Sequence, residues 1–151
     1  MKATLKSGDR APHTEESEVG VIELEERLLS FFENQRRQSR YIQWLFIKAS
    51  RKFLLLDVEG IMWLEAQGNY VKVHHRSGAY LLRATINALE DQLNPRKFLR
   101  IRRSVIVQIE QIAELRSYFH GDYLVTLRNG TQLMLNRNYR SKFREAVGVS
   151  L

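Results

Sequence analysis

Phe98-Leu99-Arg100-Ile101-Arg102-Arg103-Ser104-Val105-Ile106-Val107-Gln108 holds two apolar runs on either side of a knot of arginines. Read as an extended chain, period-2 alternation puts Leu99, Ile101 and Arg103 on one face and Arg100 and Arg102 on the other. That leaves a guanidinium among apolar neighbours, where an unpaired charge is costly. A turn or bulge near Arg103-Ser104 resolves the conflict by aiming Arg103 outward before Val105, Ile106 and Val107 re-enter the core. Three arginines and a hydroxyl are then displayed at the rim of a β core. Guanidinium matches phosphate oxygens and the acceptor edge of guanine, and a serine hydroxyl donates to phosphate. The competing interpretation of this segment alone is an edge strand with solvated arginines.

Working outward, the residues downstream read as strand, turn, strand. Residues 111–118 and 123–127 flank a turn at Phe119-His120-Gly121-Asp122, and Arg128-Asn129-Gly130 carries an Asn-Gly hairpin signal leading to a strand over 131–135. A last helix is expected from about Asn138, with Tyr139, Phe143 and Val147 on one face. The loop Asn136-Arg137-Asn138 precedes it, where unpaired backbone N–H groups would offer phosphate a second seat. Asn138 acting only as a helix cap is the plainer alternative.

Upstream, the spacing predicts a hairpin over 41–49 and 51–56 turning at Ala49-Ser50, then strands over 61–66 and 70–75 joined by Gln67-Gly68-Asn69. Val71 and Val73 share one face of the second strand; Tyr70, Lys72 and His74 share the other, which should be wet. A strand over 79–83 follows. Thr85 is placed to cap a short helix carrying Ile86, Leu89 and Leu93 and ending at Asn94-Pro95. Residues 15–40 have helical periodicity, with Val21, Leu24 and Leu28 at i, i+3 and i+7 and Leu29, Phe31 and Phe32 widening the stripe. Such a helix needs a surface: its own domain, a second copy or a regulatory partner. Gly20 blurs its start. Residues 1–14 lack apolar periodicity and read as a disordered lead.

Charge divides the chain the same way. Up to Arg40 there are seven Lys or Arg against eight Asp or Glu; from Tyr41 there are 17 against nine, so the later part carries the excess within a net +7. Such a domain favours an anionic partner, nucleic acid before membrane, since no basic amphipathic helix occurs there. There is no cysteine, hence no disulfide or thiolate metal site. No apolar run nears the roughly 18 residues of a membrane span and no signal peptide is evident, so a cytoplasmic location is expected. The four histidines, His13, His74, His75 and His120, suggest no metal site or catalytic dyad, and Gly60, Gly68 and Gly78 are isolated turn glycines. No enzyme, cofactor or metal is expected. Trp44, Trp63 and Phe98 read as core, and His74 or His75 as exposed side chains able at most to touch phosphate.

Three segments, Leu64-Glu65-Ala66-Gln67-Gly68-Asn69-Tyr70-Val71, residues 98–107, and Asn129-Gly130 through Asn136-Arg137-Asn138-Tyr139, together resemble the LytTR family of bacterial DNA-binding domains over residues 44–147. The resemblance implies a mainly β, elongated fold of short antiparallel strands with small helices, here over 41–151 behind the amphipathic helix. It implies a transcriptional regulator that reads double-stranded DNA with loops: Asn69 and Tyr70 in the first, Arg102, Arg103 and Ser104 in the second, Arg137 in the third; Arg100, Asn136 and Asn138 join them as candidate contacts from their places in the arginine segment and the loop before the last helix. Arg103 and Arg137 are the foremost candidates for guanine. Departures from the family pattern are Arg102 where histidine is usual, Gln108 where asparagine is usual and Asn136 where serine is usual; the last two bear on target sequence. Forty upstream residues cannot hold a phosphoacceptor domain, so a stand-alone module is expected. Two copies on direct repeats, as a homodimer, are implied, with the helix available to a regulatory partner. The alternative is a basic β module for RNA or an acidic protein.

Overall fold

A computed structural model describes residues 14–38 and 40–148. The expected lead lies outside them but for Thr14, which opens helix α1 (Thr14–Gln38). The helix begins one residue before the expected start and runs through Gly20 without a break, and Phe32 meets Phe46 at 5.6 Å between ring centroids while Glu25 lies 3.5 Å from Lys48. Of the three surfaces open to the helix, its own domain is therefore used. Its seat is the hairpin of β1 (Trp44–Ala49) and β2 (Lys52–Asp57), where Phe46 in turn stacks on Phe53 at 5.1 Å. Leu45 and Ile47 point to the other side and are buried. The turn falls at Ser50-Arg51, one residue later than expected, with Ser50 at φ 47°.

The centre is a five-stranded antiparallel sheet in the order β5-β4-β3-β7-β6, formed by β3 (Ile61–Gln67), β4 (Tyr70–His75), β5 (Gly78–Leu82), β6 (Phe98–Arg102) and β7 (Val105–Gln108). One face packs on the β1–β2 hairpin and on α2 (Ile86–Gln92), whose start is capped by Thr85 Oγ1 accepting from Ala88 N–H at 3.1 Å. The other face packs on a three-stranded sheet of β8 (Ile112–Ser117), β9 (Tyr123–Leu127) and β10 (Gln132–Leu135), closed by α3 (Arg140–Val147) through Phe143. Layers on both faces explain why Val105-Ile106-Val107 is an unbroken apolar run. Ile106 enters one core and its two neighbours enter the other. Each such side chain contributes about 1.5–3 kcal/mol by leaving water.

The β9–β10 connection is a type of turn the Asn-Gly pair does not by itself announce. Only Gly130 has positive φ, 94°, and Gly130 N–H donates to Leu127 C=O at 2.9 Å, so a common turn is followed by a left-handed glycine and the last strand begins at Gln132.

Candidate nucleic-acid interface

In β6–β7 the arginine knot is resolved by a bulge, but one step earlier than the alternation suggests: pairing slips between Arg100 and Arg102, around Ile101. Arg103-Ser104 form the turn without positive φ, and the adjacent bulge supplies the extra twist that tight hairpins obtain from left-handed residues. Arg103 is exposed; Arg102 and Ser104 are half-buried.

Arg100 is not at the rim. Only 8 % of it is exposed, because alternation turns it toward α2, where its guanidinium donates to Glu90 at 2.6 Å and Asn87 at 2.9 Å. Its Nε and a terminal nitrogen both donate to the Arg103 carbonyl. The buried charge is therefore that of Arg100 and not of Arg103; Glu90 neutralises it, and the same fork clamps the backbone of Arg103 in the turn. Arg100 positions the loop and is removed from the candidate contacts. The Nε of Arg102 is buried and finds no hydrogen-bond partner among the described residues.

Backbone hydrogen bonds gather the three loops at one end. Ala66 N–H donates to Ser104 C=O at 2.8 Å, fastening the Gln67-Gly68-Asn69 turn to Arg103-Ser104. Asn136 N–H donates to Ile101 C=O at 2.9 Å, fastening the third loop to the same bulge. Through that bond the Cα atoms of Arg103 and Arg137 lie within about 18 Å, given about 3.8 Å per residue step. One turn of duplex spans roughly 34 Å, so their separation is within the span of a single turn. Both are exposed, and neither guanidinium is paired with another described residue. Asn69, Tyr70 and Asn138 are exposed beside them. Arg83 joins this group: Val71 pairs with Leu82, which brings the Arg83 guanidinium to 5.9 Å from the Tyr70 ring. The β4–β5 hairpin pattern was the signal that places it there.

The third loop departs from expectation in its N–H groups. Arg137 N–H donates to Asp122 Oδ1 at 2.9 Å, Asn138 N–H to Asn136 Oδ1 at 2.8 Å and Tyr139 N–H to Asn136 C=O at 2.8 Å. No vacant amide seat for phosphate exists at those three residues. Asn136, half-buried, is the capping residue, and Asn138 is not.

The opposite end of the sheet holds residues that sequence reasoning misjudged. His75 is 4 % exposed: Nε2–H donates to the Asp57 carbonyl and carboxylate, each at 3.0 Å, while Nδ1 accepts from Ser77 N–H at 3.1 Å and lies 2.8 Å from Ser77 Oγ. The carboxylate also pairs with Arg76 at 2.8 Å. Desolvation pushes the Asp57 carboxyl up, but the His75 hydrogen bond and the Arg76 charge outweigh it and hold its pKa below the ordinary value. Gln108, also buried, donates to the carbonyls of Glu59 at 3.0 Å and Ile61 at 2.6 Å. It sits at the far end of β7 from Ser104, so its departure from the family pattern concerns scaffold and not target sequence. His74 is stacked on Trp63 at 3.7 Å and 3°, and burial lowers its pKa against the pull of Glu65 at 3.5 Å, with Lys72 adding to the lowering. Neither histidine is a free phosphate ligand. Among the described residues no cluster of His, Asp or Glu is placed to hold a metal, and no helix is long and apolar enough to cross a membrane.

Comparison with known proteins agrees with this architecture. The LytTr DNA-binding domain family model matches residues 51–148. The transcriptional regulatory protein LytR of Staphylococcus aureus (strain N315) is 26% identical over 111 residues, covering 74% of this chain and 45% of LytR. The sensory transduction protein LytT of Enterococcus faecalis (strain ATCC 700802 / V583) is 24% identical over 141 residues, covering 92% of this chain and 58% of LytT. The chain thus spans about half the length of the curated relatives it matches. The solved LytTr DNA-binding domain of a putative methyl-accepting/DNA response regulator from Bacillus cereus superposes with a TM-score of 0.65 at 23% identity, over 70% of this chain and 97% of that one. With its three layers, its loops gathered at one end and the matched residues covering most of its length, the chain belongs to the LytTR family of DNA-binding domains.

Proposed function

We propose that this chain binds double-stranded DNA sequence-specifically through the loops at the Arg103 end of its central sheet and acts as a bacterial transcriptional regulator in the cytoplasm. The observation that carries this is the convergence of loops 67–69, 103–104 and 136–138, with Arg103 and Arg137 exposed and unpaired among the described residues. Each arginine can donate a bidentate pair to guanine O6 and N7. Asn69, Tyr70, Arg102, Ser104 and Asn138 contact the backbone or base edges around them, while Arg100 and Asn136 hold the loops in shape.

Helix α1 supplies the pairing surface. Ile22, Leu24, Leu29 and Phe31 remain exposed although the helix is docked. Most acidic residues of α1 fall in its first half and Arg36 and Arg37 near its end, so a second copy laid antiparallel matches charge as well as apolar surface. Selection of bound duplexes from a random pool, followed by footprinting and sedimentation of the complex, tests the whole reading. A single enriched motif protected by two copies is expected. Recovery of no duplex, with single-stranded RNA bound instead, would sink it.

A further inference from the structure

The tip between β8 and β9 carries an exposed aromatic pair on the same side as these loops. Phe119 is 68 % exposed and Tyr118 47 %. The Tyr118 ring braces Phe119 edge-on, with centroids 4.7 Å apart and planes at 64°. The backbone is held as firmly. His120 has φ 58° and ψ 31°, Gly121 follows at φ 84°, Tyr118 N–H donates to Asp122 C=O at 2.9 Å and Asp122 N–H to Phe119 C=O at 3.0 Å. A left-handed histidine is strained, and such strain persists only where surroundings enforce it.

What this tip lies against gives its direction. The Asp122 carboxylate takes the Arg137 N–H, and a Cβ at Gly121 would stand 3.5 Å from an Arg140 terminal nitrogen and 3.6 Å from Arg137 Cβ. The tip is therefore fixed to the third loop, with the Arg137 and Arg140 side chains against Gly121, two residues along the chain from the exposed Phe119 ring. A phenylalanine left in water gains nothing for the fold. Cations that settle on phosphates, flanking a rigid apolar ring, are the arrangement of a side chain that enters DNA at a base step.

We propose that Phe119 is a wedge: it inserts between base pairs of the bound duplex at the edge of the footprint next to Arg137, with Tyr118 as its brace. The proposal rests on duplex DNA being the ligand of the neighbouring loops. It adds a fourth loop to the interface, one that senses the ease of unstacking a step and not its hydrogen-bond pattern.

The test uses the full chain and the duplex recovered by selection, with 2-aminopurine placed in turn along the footprint. The native protein should raise fluorescence at one outer step. Phe119→Ala should abolish that rise and weaken binding about five- to 150-fold, as losing an aromatic contact to a base does, without changing the salt slope, since no phosphate contact is lost. Phe119→Leu should keep part of both. The ring is exposed, so thermal midpoints should not move. If Phe119→Ala leaves fluorescence and affinity as they were while Arg103→Ala still weakens binding, the wedge is wrong and the DNA reading survives. If the native protein selects no duplex, both fall.

Discussion

At one end of the central sheet His75, Asp57, Ser77 and Arg76 have answered one another with hydrogen bonds, Gln108 has answered the carbonyls of Glu59 and Ile61, and Gly60 stands so close that a Cβ there would lie 2.4 Å from His75 Nε2. At the other end Arg103 and Arg137 point outward with no described partner. Both ends are rich in polar side chains. The closed end stabilises the fold, because its polar groups leave water only for protein partners; the open end is held in shape by bonds to its backbone while its side chains stay available. Arg100 links the two styles: its own charge is closed off by Glu90 so that the Arg103 backbone can be fixed.

The largest effect should come from breaking that link. Arg100→Ala leaves Glu90 and the Arg103 carbonyl without their partner and should cost about 2–4 kcal/mol in a denaturant melt. It should also weaken DNA binding by the folded fraction, and Arg100→Lys, which keeps charge but not the fork, should restore little of either. Arg103→Ala should separate the ends cleanly. Titration with the selected duplex should show a loss of about 1–3 kcal/mol, confined to one base position, with an unchanged melt. A uniform loss across sequences would instead assign Arg103 to phosphate.

Gly60→Ala tests the closed end. The new methyl must displace His75, so stability should fall by about 1–3 kcal/mol while affinity per folded molecule is kept. Acid should act on His74 next. Its pKa is lowered in the fold, so its contribution is complete above the ordinary value of 6.5 and is lost as pH falls toward the folded value. Melts at pH 7.5 and 5.5 should show the native protein losing more stability than His74→Phe, which keeps a ring on Trp63. Asp57, whose pKa is also lowered, protects the fold above 3.8 and fails below it. Smallest should be Arg102→His: affinity measured from pH 5.5 to 8 should decline with rising pH more steeply in the variant, whose imidazole titrates where guanidinium does not. Identical slopes would remove Arg102 from phosphate.

Much of this was legible in the chain. Alternation and turn residues placed β3, β4, β7 and α2, and Thr85 was recognisable as a cap because all of these depend on neighbours within a few residues. The misjudged positions were those whose partners are distant in sequence. Arg100 depends on Asn87 and Glu90, thirteen and ten residues away; His75 on Asp57, eighteen away; Gln108 on Ile61, forty-seven away. Asn136 took the cap from Asn138 because its backbone is tied to Ile101 in another strand.

By itself, then, the amino-acid order determined where strands start and turn, that the basic charge follows the helix, and which loops carry arginine and asparagine. Only the packed molecule decided which arginine is a strut and which is free, which histidine is closed off, and that the turn carrying Phe119 is tied to Arg137 through Asp122. Periodicity is a property of the backbone and is written locally. The fate of a charged or aromatic side chain is set by whether folding brings it a partner or leaves it to water, and that partner is chosen by chain topology.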